Sequence, residues 1–302
     1  MTYHGILPVY KPKGVTSHDV VARVRRLTGQ KKVGHTGTLD PEVEGVLPVC
    51  LGQATRIAEY IQAMPKRYRG SFVVGISTDT EDQTGEIVDK IESVEKLDYA
   101  YVEEIFTRFV GEIDQIPPMY SAVKIKGRKL YELAREGKEI ERPSRKVNIY
   151  ELHLLGVENG PFPKIDFDVL CSKGTYVRTL CVDIGRALGY PAHMTSLVRT
   201  QSGPFYLDDC HTLEELSWAA QQQKIEEYLV SLGEALSLWP SLVVDDDDAN
   251  RVLDGWELRL SGPPTSESLV RVYSESGRFC ALYRLMPGGS AKPEKVFREV
   301  ES

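Results

Sequence analysis

The sequence predicts a mixed α/β protein of the α+β kind, with a large, mostly antiparallel sheet and a small β-rich module towards its C-terminal end. Three observations carry this. Apolar residues alternate over 68–77 and 165–171, as strands with one covered face require. They recur at three- and four-residue spacing over 20–27, 102–109 and 177–188, as on amphipathic helices. Near Leu236 to Val244 the character changes, and short strand patterns separated by turn residues follow. A chain of 302 residues is long enough for one large domain and one small one, here 1–238 and 239–302.

Taken in order, Gly5 to Tyr10 reads as a strand ended by Lys11-Pro12-Lys13-Gly14. Thr16 or Ser17 can cap a helix whose stripe is Val20, Val21, Val24 and Leu27, with Gly29 as its stop. Arg23, Arg25 and Arg26 give that helix a basic exterior. Val46 to Leu51 suits a buried strand and Ala54 to Ala63 a short helix. Over Tyr68 to Ser77, Tyr68, Phe72, Val74 and Ile76 share one face of a strand, so Tyr68 faces inward at its start. Val102, Ile105, Phe106 and Phe109 form a helical stripe. Lys124 to Arg145 is basic, hydrophilic and interrupted by Gly127 and Gly137, which predicts a protruding insertion with a short helix over Leu130 to Arg135. Ile165 to Cys171 alternates as a central strand, and Gly174 turns the chain into a helix carrying Val177, Leu180, Ile184 and Leu188. After Trp239-Pro240 and the run Asp245 to Asp248, strands are expected at Ser268–Tyr273 and Arg278–Leu285, joined by a turn at Ser274–Gly277.

No apolar run approaches the roughly 18 residues of a membrane span, and no signal peptide is read, so the expected setting is the cytoplasm. Five scattered cysteines without a Cys-x-x-Cys pair favour neither a disulfide framework nor a zinc site. The net charge of -7 conceals strong segregation. Residues 1–40 carry seven Lys/Arg against two acids and residues 121–146 nine against four, whereas 79–118 hold twelve acids against three bases. A local basic surface, rather than total charge, is what draws in a polyanion.

The stretch Val33-Gly34-His35-Thr36-Gly37-Thr38-Leu39-Asp40-Pro41 holds two glycines, a histidine and one carboxylate in a loop too irregular for helix or strand. Pro41 sets the chain direction after Asp40 and biases Asp40 towards an extended conformation. With its flanks, from Lys31-Lys32 to Glu44-Gly45-Val46-Leu47-Pro48, it resembles the active-site motif of the bacterial tRNA pseudouridine-55 synthases, the TruB family. Four further segments match that family in order: Lys11-Pro12-Lys13-Gly14-Val15-Thr16-Ser17, Lys66-Arg67-Tyr68, Ile116-Pro117-Pro118-Met119-Tyr120-Ser121-Ala122, and Cys171-Ser172-Lys173-Gly174-Thr175-Tyr176-Val177-Arg178-Thr179.

The resemblance implies a pseudouridine-synthase-like catalytic domain with an RNA-gripping insertion at about 124–145, followed by a PUA-like RNA-binding module. It implies an isomerase, an intramolecular transferase that flips uridine 55 out of the T loop of tRNA and converts it to pseudouridine. Asp40 would be the nucleophile, Arg178 the cation that holds it ionised, and Tyr68 a ring stacked on the base that also serves proton transfer. His35 would pack into the disrupted RNA loop, and Tyr176 and Leu197 would contact the flipped nucleotide. Lys11, Lys13, Lys31, Lys32, Lys173, Lys124, Lys126, Arg128 and Lys129 are the expected RNA contacts, mostly to phosphates, which supply affinity rather than specificity.

Phosphate-loop, His-Glu-x-x-His and dinucleotide-binding motifs are absent, and a redox-neutral isomerisation calls for none, so neither cofactor nor metal is expected. The expected partner is the tRNA T stem-loop, with no membrane, no obligate protein partner and a monomeric state. Two alternatives stand beside this reading: a catalytic subunit that depends on guide RNA, and a non-catalytic tRNA-binding or folding factor. A pure binder has no need of Asp40, Tyr68 and Arg178 together.

Overall fold

A computed structural model describes residues 2–121, 123–125, 127–138, 140–259, 269–287 and 289–298. The chain divides into two compact units, one formed by Met1–Pro41, Gly45–Gln62 and Ser202–Ser302, the other by Glu42–Glu44 and Ala63–Gln201.

In the first unit, strand Gly5–Lys11 runs antiparallel to Glu44–Leu51, from Gly5 opposite Leu51 to Lys11 opposite Gly45, and the short strand Val33–His35 also pairs with Glu44–Leu51. The other edge of Gly5–Lys11 is met by backbone bonds from Ile6 to Val230 and from Tyr10 to His211, each 2.9 Å. Helix Ser17–Thr28 begins at Thr16, whose hydroxyl accepts from Asp19 N–H while Asp19 returns a bond to Thr16 N–H, and ends at Gly29 in the left-handed region. Its stripe Val20, Val21 and Val24 is buried against Leu7, Val9, Leu47, Val49, Leu213 and Leu216. Burying each such side chain contributes roughly 1.5–3 kcal/mol, against about 1 kcal/mol for a cap. The stripe therefore holds the helix to the sheet, and the cap decides where it starts. The expected helix Ala54–Ala63 is instead a 3-10 turn, Gly52–Arg56, followed by helix Ala58–Ala63.

The C-terminal part of this unit is a five-stranded sheet in the order Ser241–Val244, Leu269–Ser274, Phe279–Met286, Ser290–Val296, Leu258–Arg259. The first pair is parallel and the others antiparallel. The turn at Ser274–Gly277 is present, closed by Gly277 N–H on Ser274 O at 2.9 Å; Ser268, expected to begin a strand, lies outside the described residues. Helix Asp246–Leu253 covers the sheet through Ala249 and Val252. Tyr60 bonds Glu294 at 2.7 Å, Lys295 pairs with Glu59 at 3.0 Å and the Arg56 guanidinium lies over Phe297, so this sheet is fastened to the 52–63 segment by polar groups.

In the second unit the strand order is Ala192–Ser202, Lys66–Val74, Lys164–Cys171, Arg145–Glu158, Gly111–Gln115. Lys164–Cys171 is antiparallel to both its neighbours, with Val169 opposite Tyr68, and Arg145–Glu158 is antiparallel to Gly111–Gln115. The predicted strand over 68–77 is broken: it starts at Lys66, ends at Val74, and Gly75 at φ 105° turns the chain into a separate strand, Ile76–Thr78, paired with Ile87–Lys90. Only glycine takes that φ without strain. The alternation still holds at Phe72 and Val74, both fully buried. Helix Tyr99–Thr107 buries Val102, Ile105 and Phe106 but stops before Phe109. In the insertion, Lys124–Ile125 and Arg128–Lys129 form a two-stranded hairpin turned at Gly127, followed by helix Leu130–Arg135 as expected.

Candidate active site

The Asp40 loop is pinned on both sides of the carboxylate. Before it, Ser17 Oγ accepts from Leu39 N–H at 2.9 Å and donates to Leu39 O at 3.2 Å, with Ser17 and Leu39 both buried. After it, Pro41 O accepts from Gly14 N–H at 3.0 Å and from Lys11 Nζ at 3.1 Å. Gly14 reaches that carbonyl with φ at 81°, a left-handed conformation that a side chain would strain. Asp40 itself is half-buried. A short polar side chain held between two anchored neighbours is well placed to present a carboxylate without a reorganisation cost. Earlier in the loop, Thr36 N–H bonds Pro48 O at 3.1 Å and Gly37 N–H donates to His35 Nδ1 at 3.2 Å. With Nδ1 accepting, the neutral His35 ring carries its proton on Nε2. The ring stands edge-on to His18, centroids 5.4 Å apart.

Lys11 corrects one expectation. It was read as an RNA contact, but its side chain is fully buried, and Nζ donates to Pro12 O at 2.9 Å and to Pro41 O. A cation enclosed in this way braces the Asp40 loop from beneath and cannot reach a phosphate. Lys13, Lys31 and Lys32 of the same segment are exposed.

In the second unit, helix Val177–Ala187 starts at Tyr176, whose N–H and C=O are both held by the buried Gln115 amide, at 2.7 and 3.0 Å. Arg178, on the first turn, is 6% exposed. Its Nη1 donates to Thr80 O at 2.8 Å and lies 3.5 Å from Asp82 Oδ2, and its Nη2 donates to Tyr120 O at 3.1 Å. Three acceptors around one planar fork fix its orientation, as a single ammonium could not be fixed. Asp82 in turn takes bonds from the Thr80 hydroxyl (2.8 Å), Thr84 N–H (2.9 Å) and the Thr84 hydroxyl (2.6 Å). Sequence reasoning missed Thr80, Asp82 and Gln115. The dense turn signal Thr78-Asp79-Thr80-Glu81-Asp82-Gln83-Thr84-Gly85 announces a structured loop, but nothing in it names Arg178 as the partner.

Tyr68 is half-buried on its strand, and the flanking Arg67 and Arg69 both reach the buried Asp168, at 2.6 and 3.7 Å. Leu197 is buried on the adjacent strand, where the backbone packs so closely that a Cβ on Gly70 would stand 2.8 Å from Leu197 Cδ1. Lys66 is buried at the head of the Tyr68 strand, its Nζ donating to Met64 O at 2.5 Å. Burial, and then the neighbouring Arg199 charge, lower its pKa to about 8. Lys173 is exposed in the turn that leads into the Arg178 helix.

In the insertion, Arg128 is ion-paired with Glu136, which also bonds Lys138 at 2.9 Å. Hydrogen bonds from these two cations bring the Glu136 carboxyl down to about 2. Lys124 pairs with Lys129 across the hairpin backbone, and Lys126 and Ala122 lie outside the described residues. The structure thus gathers His35 and Asp40, braced by Lys11, in one unit, and Tyr68, Tyr176, Arg178 and Leu197 in the other.

Residues 25–177 match the family described as TruB family pseudouridylate synthase (N terminal domain). The chain belongs to the TruB family. Residues 178–237 match the tRNA pseudouridylate synthase B C-terminal domain. Among its TruB relatives, a tRNA pseudouridine synthase B of Geobacillus thermodenitrificans is 50% identical over 303 residues, covering 97% of this chain and 99% of the relative. A Bacillus subtilis protein of the same name is 46% identical, covering 98% of each. A solved structure titled "Structure of H/ACA RNP bound to a substrate RNA containing 2'-deoxyuridine" aligns with a TM-score of 0.74 at 27% identity, over 97% of this chain and 85% of that one. The two family matches meet between Val177 and Arg178, so the TruB assignment takes in the Asp40 loop, the Tyr68 strand and the Arg178 helix. Among the described residues, no helix is long and apolar enough to cross a membrane, and no group of three His, Cys, Asp or Glu is placed to hold a metal ion. All five cysteines are free thiols; burial pushes Cys50 up to about 12 and Cys171 to about 11, which leaves both inert.

Proposed function

We propose that this chain isomerises uridine 55 to pseudouridine in the T loop of tRNA. The observation that carries the reading is the Asp40 carboxylate, half-buried between Leu39 and Pro41, each held by two hydrogen bonds. The reaction breaks the bond from ribose C1′ to uracil N1, turns the base and joins C1′ to C5. The proton on C5 is lost and N1 gains one, so atoms and charge balance without a second substrate. Asp40 acts as the nucleophile, and Arg178 is the cation that keeps it ionised. Tyr68 stacks on the flipped base and serves the proton transfer at C5. Tyr176 and Leu197 contact the extruded nucleotide, and His35 packs into the gap that it leaves.

Phosphate contacts come from Lys13, Lys31, Lys32, Lys173 and the insertion cations Lys124, Lys126, Arg128 and Lys129. Residues 1–238 form the catalytic domain and 239–302 a PUA-like RNA-binding module. The enzyme works in the cytoplasm as a monomer, without guide RNA or a protein partner; near full-length overlap with relatives named tRNA pseudouridine synthase B supports this over the guide-dependent alternative. The test is to map pseudouridine in an unmodified tRNA transcript before and after treatment with the purified protein and with Asp40→Asn. Wild type should modify position 55, and Asp40→Asn should leave it unmodified while binding tRNA within about tenfold of wild type. Turnover by Asp40→Asn above a trace would remove Asp40 from the chemistry.

A further inference from the structure

Among the described residues outside glycine, only Glu81 and Gln223 have positive φ, at 63° and 58°. A non-glycine residue in that region costs free energy and persists where its surroundings hold it there. Gln223 follows a helix end, an ordinary place for such a turn. Glu81 sits mid-loop, and its two neighbours are the ones that grip Arg178: Thr80 through its carbonyl at 2.8 Å, Asp82 through its carboxylate at 3.5 Å. In an extended strand, residues 80 and 82 would share one face, but a carbonyl and a side chain do not point the same way along it. The left-handed turn at Glu81 brings both groups onto one guanidinium.

Glu81 is itself held at three points. Its Oε2 accepts from the Thr179 hydroxyl at 2.6 Å, its carbonyl accepts from Met194 N–H at 3.0 Å, and its N–H donates to Thr78 O at 3.2 Å. Thr179 is buried and is the residue next to Arg178 on the first turn of the helix. The Glu81 carboxylate therefore ties the loop to the helix at the residue beside the guanidinium that the loop must meet.

We propose that Glu81 is a positioning residue for Arg178, using its bond to Thr179 and its left-handed backbone to aim the Thr80 carbonyl and the Asp82 carboxylate at the guanidinium. This rests on the proposed isomerase reading for its kinetic consequence. Burial raises the Glu81 pKa, with Thr179 and Arg178 opposing, and a protonated Glu81 could still accept the Thr179 bond. The bond, rather than the charge, is what the role requires.

The experiment separates positioning from mere structure. Glu81→Gly relieves the positive φ while deleting the carboxylate, so thermal stability should change little. The single-turnover rate of pseudouridine formation on prebound tRNA should fall at least tenfold, with tRNA affinity within threefold. Glu81→Gln, which keeps an acceptor for Thr179, should recover most of the loss, and Thr179→Val should reproduce Glu81→Gly without adding to it in the double variant. The Arg178 Nε–H resonance, assigned by its disappearance in Arg178→Lys, should shift in Glu81→Gly and return towards wild type in Glu81→Gln. An unmoved resonance, or an unchanged rate in Glu81→Gly, overturns the proposal. An inactive wild-type enzyme would instead overturn the isomerase reading, while the resonance still decides the position of Arg178.

Discussion

Ser17→Ala is the sharpest test of how the Asp40 loop is held. Ser17 Oγ satisfies both backbone groups of Leu39, at 2.9 and 3.2 Å, in a buried setting. Alanine leaves a buried N–H and a buried C=O without that partner. Each such loss costs about 1–3 kcal/mol; the longer bond is the weaker, so the sum is about 2–4 kcal/mol. At roughly 2 °C per kcal/mol for a chain of this size, the melting midpoint should fall by about 4–8 °C. The catalytic effect should be larger in proportion. Asp40 follows Leu39 directly, and a displacement near 1 Å costs on the order of a hundredfold in rate. Single-turnover conversion should therefore drop about ten- to a hundredfold, with tRNA affinity nearly unchanged. Thr16→Ala is the control: it removes the cap of the same helix, at about 1 kcal/mol, but the deleted Thr16 hydroxyl bonds Asp19, within the helix's own first turn. Its rate should stay at the wild-type value once the protein is folded. A normal rate in Ser17→Ala, or an equal loss in Thr16→Ala, would refute the claim that Ser17 acts through the position of Asp40.

Tyr68→Phe should bind tRNA normally and lose the chemical step in a single-turnover assay, since it keeps the stacking ring and deletes the hydroxyl; full activity would leave Tyr68 as packing only. Glu136→Gln frees Arg128 and Lys138 from their shared carboxylate, so tRNA should bind more tightly, by about threefold, with a steeper salt dependence in a titration across ionic strengths. For Lys66, the folded pKa of about 8 lies below the ordinary lysine value of 10.5, so the unfolded chain binds the extra proton between them. Wild-type stability relative to Lys66→Met should rise as pH increases from 8 to 10.5 and be flat below about 7, measured by denaturant unfolding at each pH; a fall across that window would show that Lys66 is not buried as a strained cation.

Local chemistry is what the chain declared on its own. The Thr16 cap, the Val20–Val24 stripe and the Gly29 stop all act within one turn of the residues they govern, and the helix lies at Ser17–Thr28 as they require. The same holds for the turn at Ser274–Gly277 and for helix Leu130–Arg135. The strand Ser290–Val296 was not legible, because Lys292-Pro293-Glu294-Lys295 carries none of the alternation of a half-buried strand; its place comes from pairing with Phe279–Met286. The motif around Asp40 made the loop the candidate site, but did not say how it is held. Ser17 reaches Leu39 across 22 residues, Lys11 reaches Pro41 across 30, and Arg178 finds Thr80 and Tyr120 across 98 and 58. A serine, a lysine or an arginine reads the same in sequence whether it faces water or a buried carbonyl. Only the tertiary structure decides, because a buried donor must meet an acceptor wherever the fold brings one, and that choice turned Lys11 from an expected phosphate contact into the brace beneath Asp40.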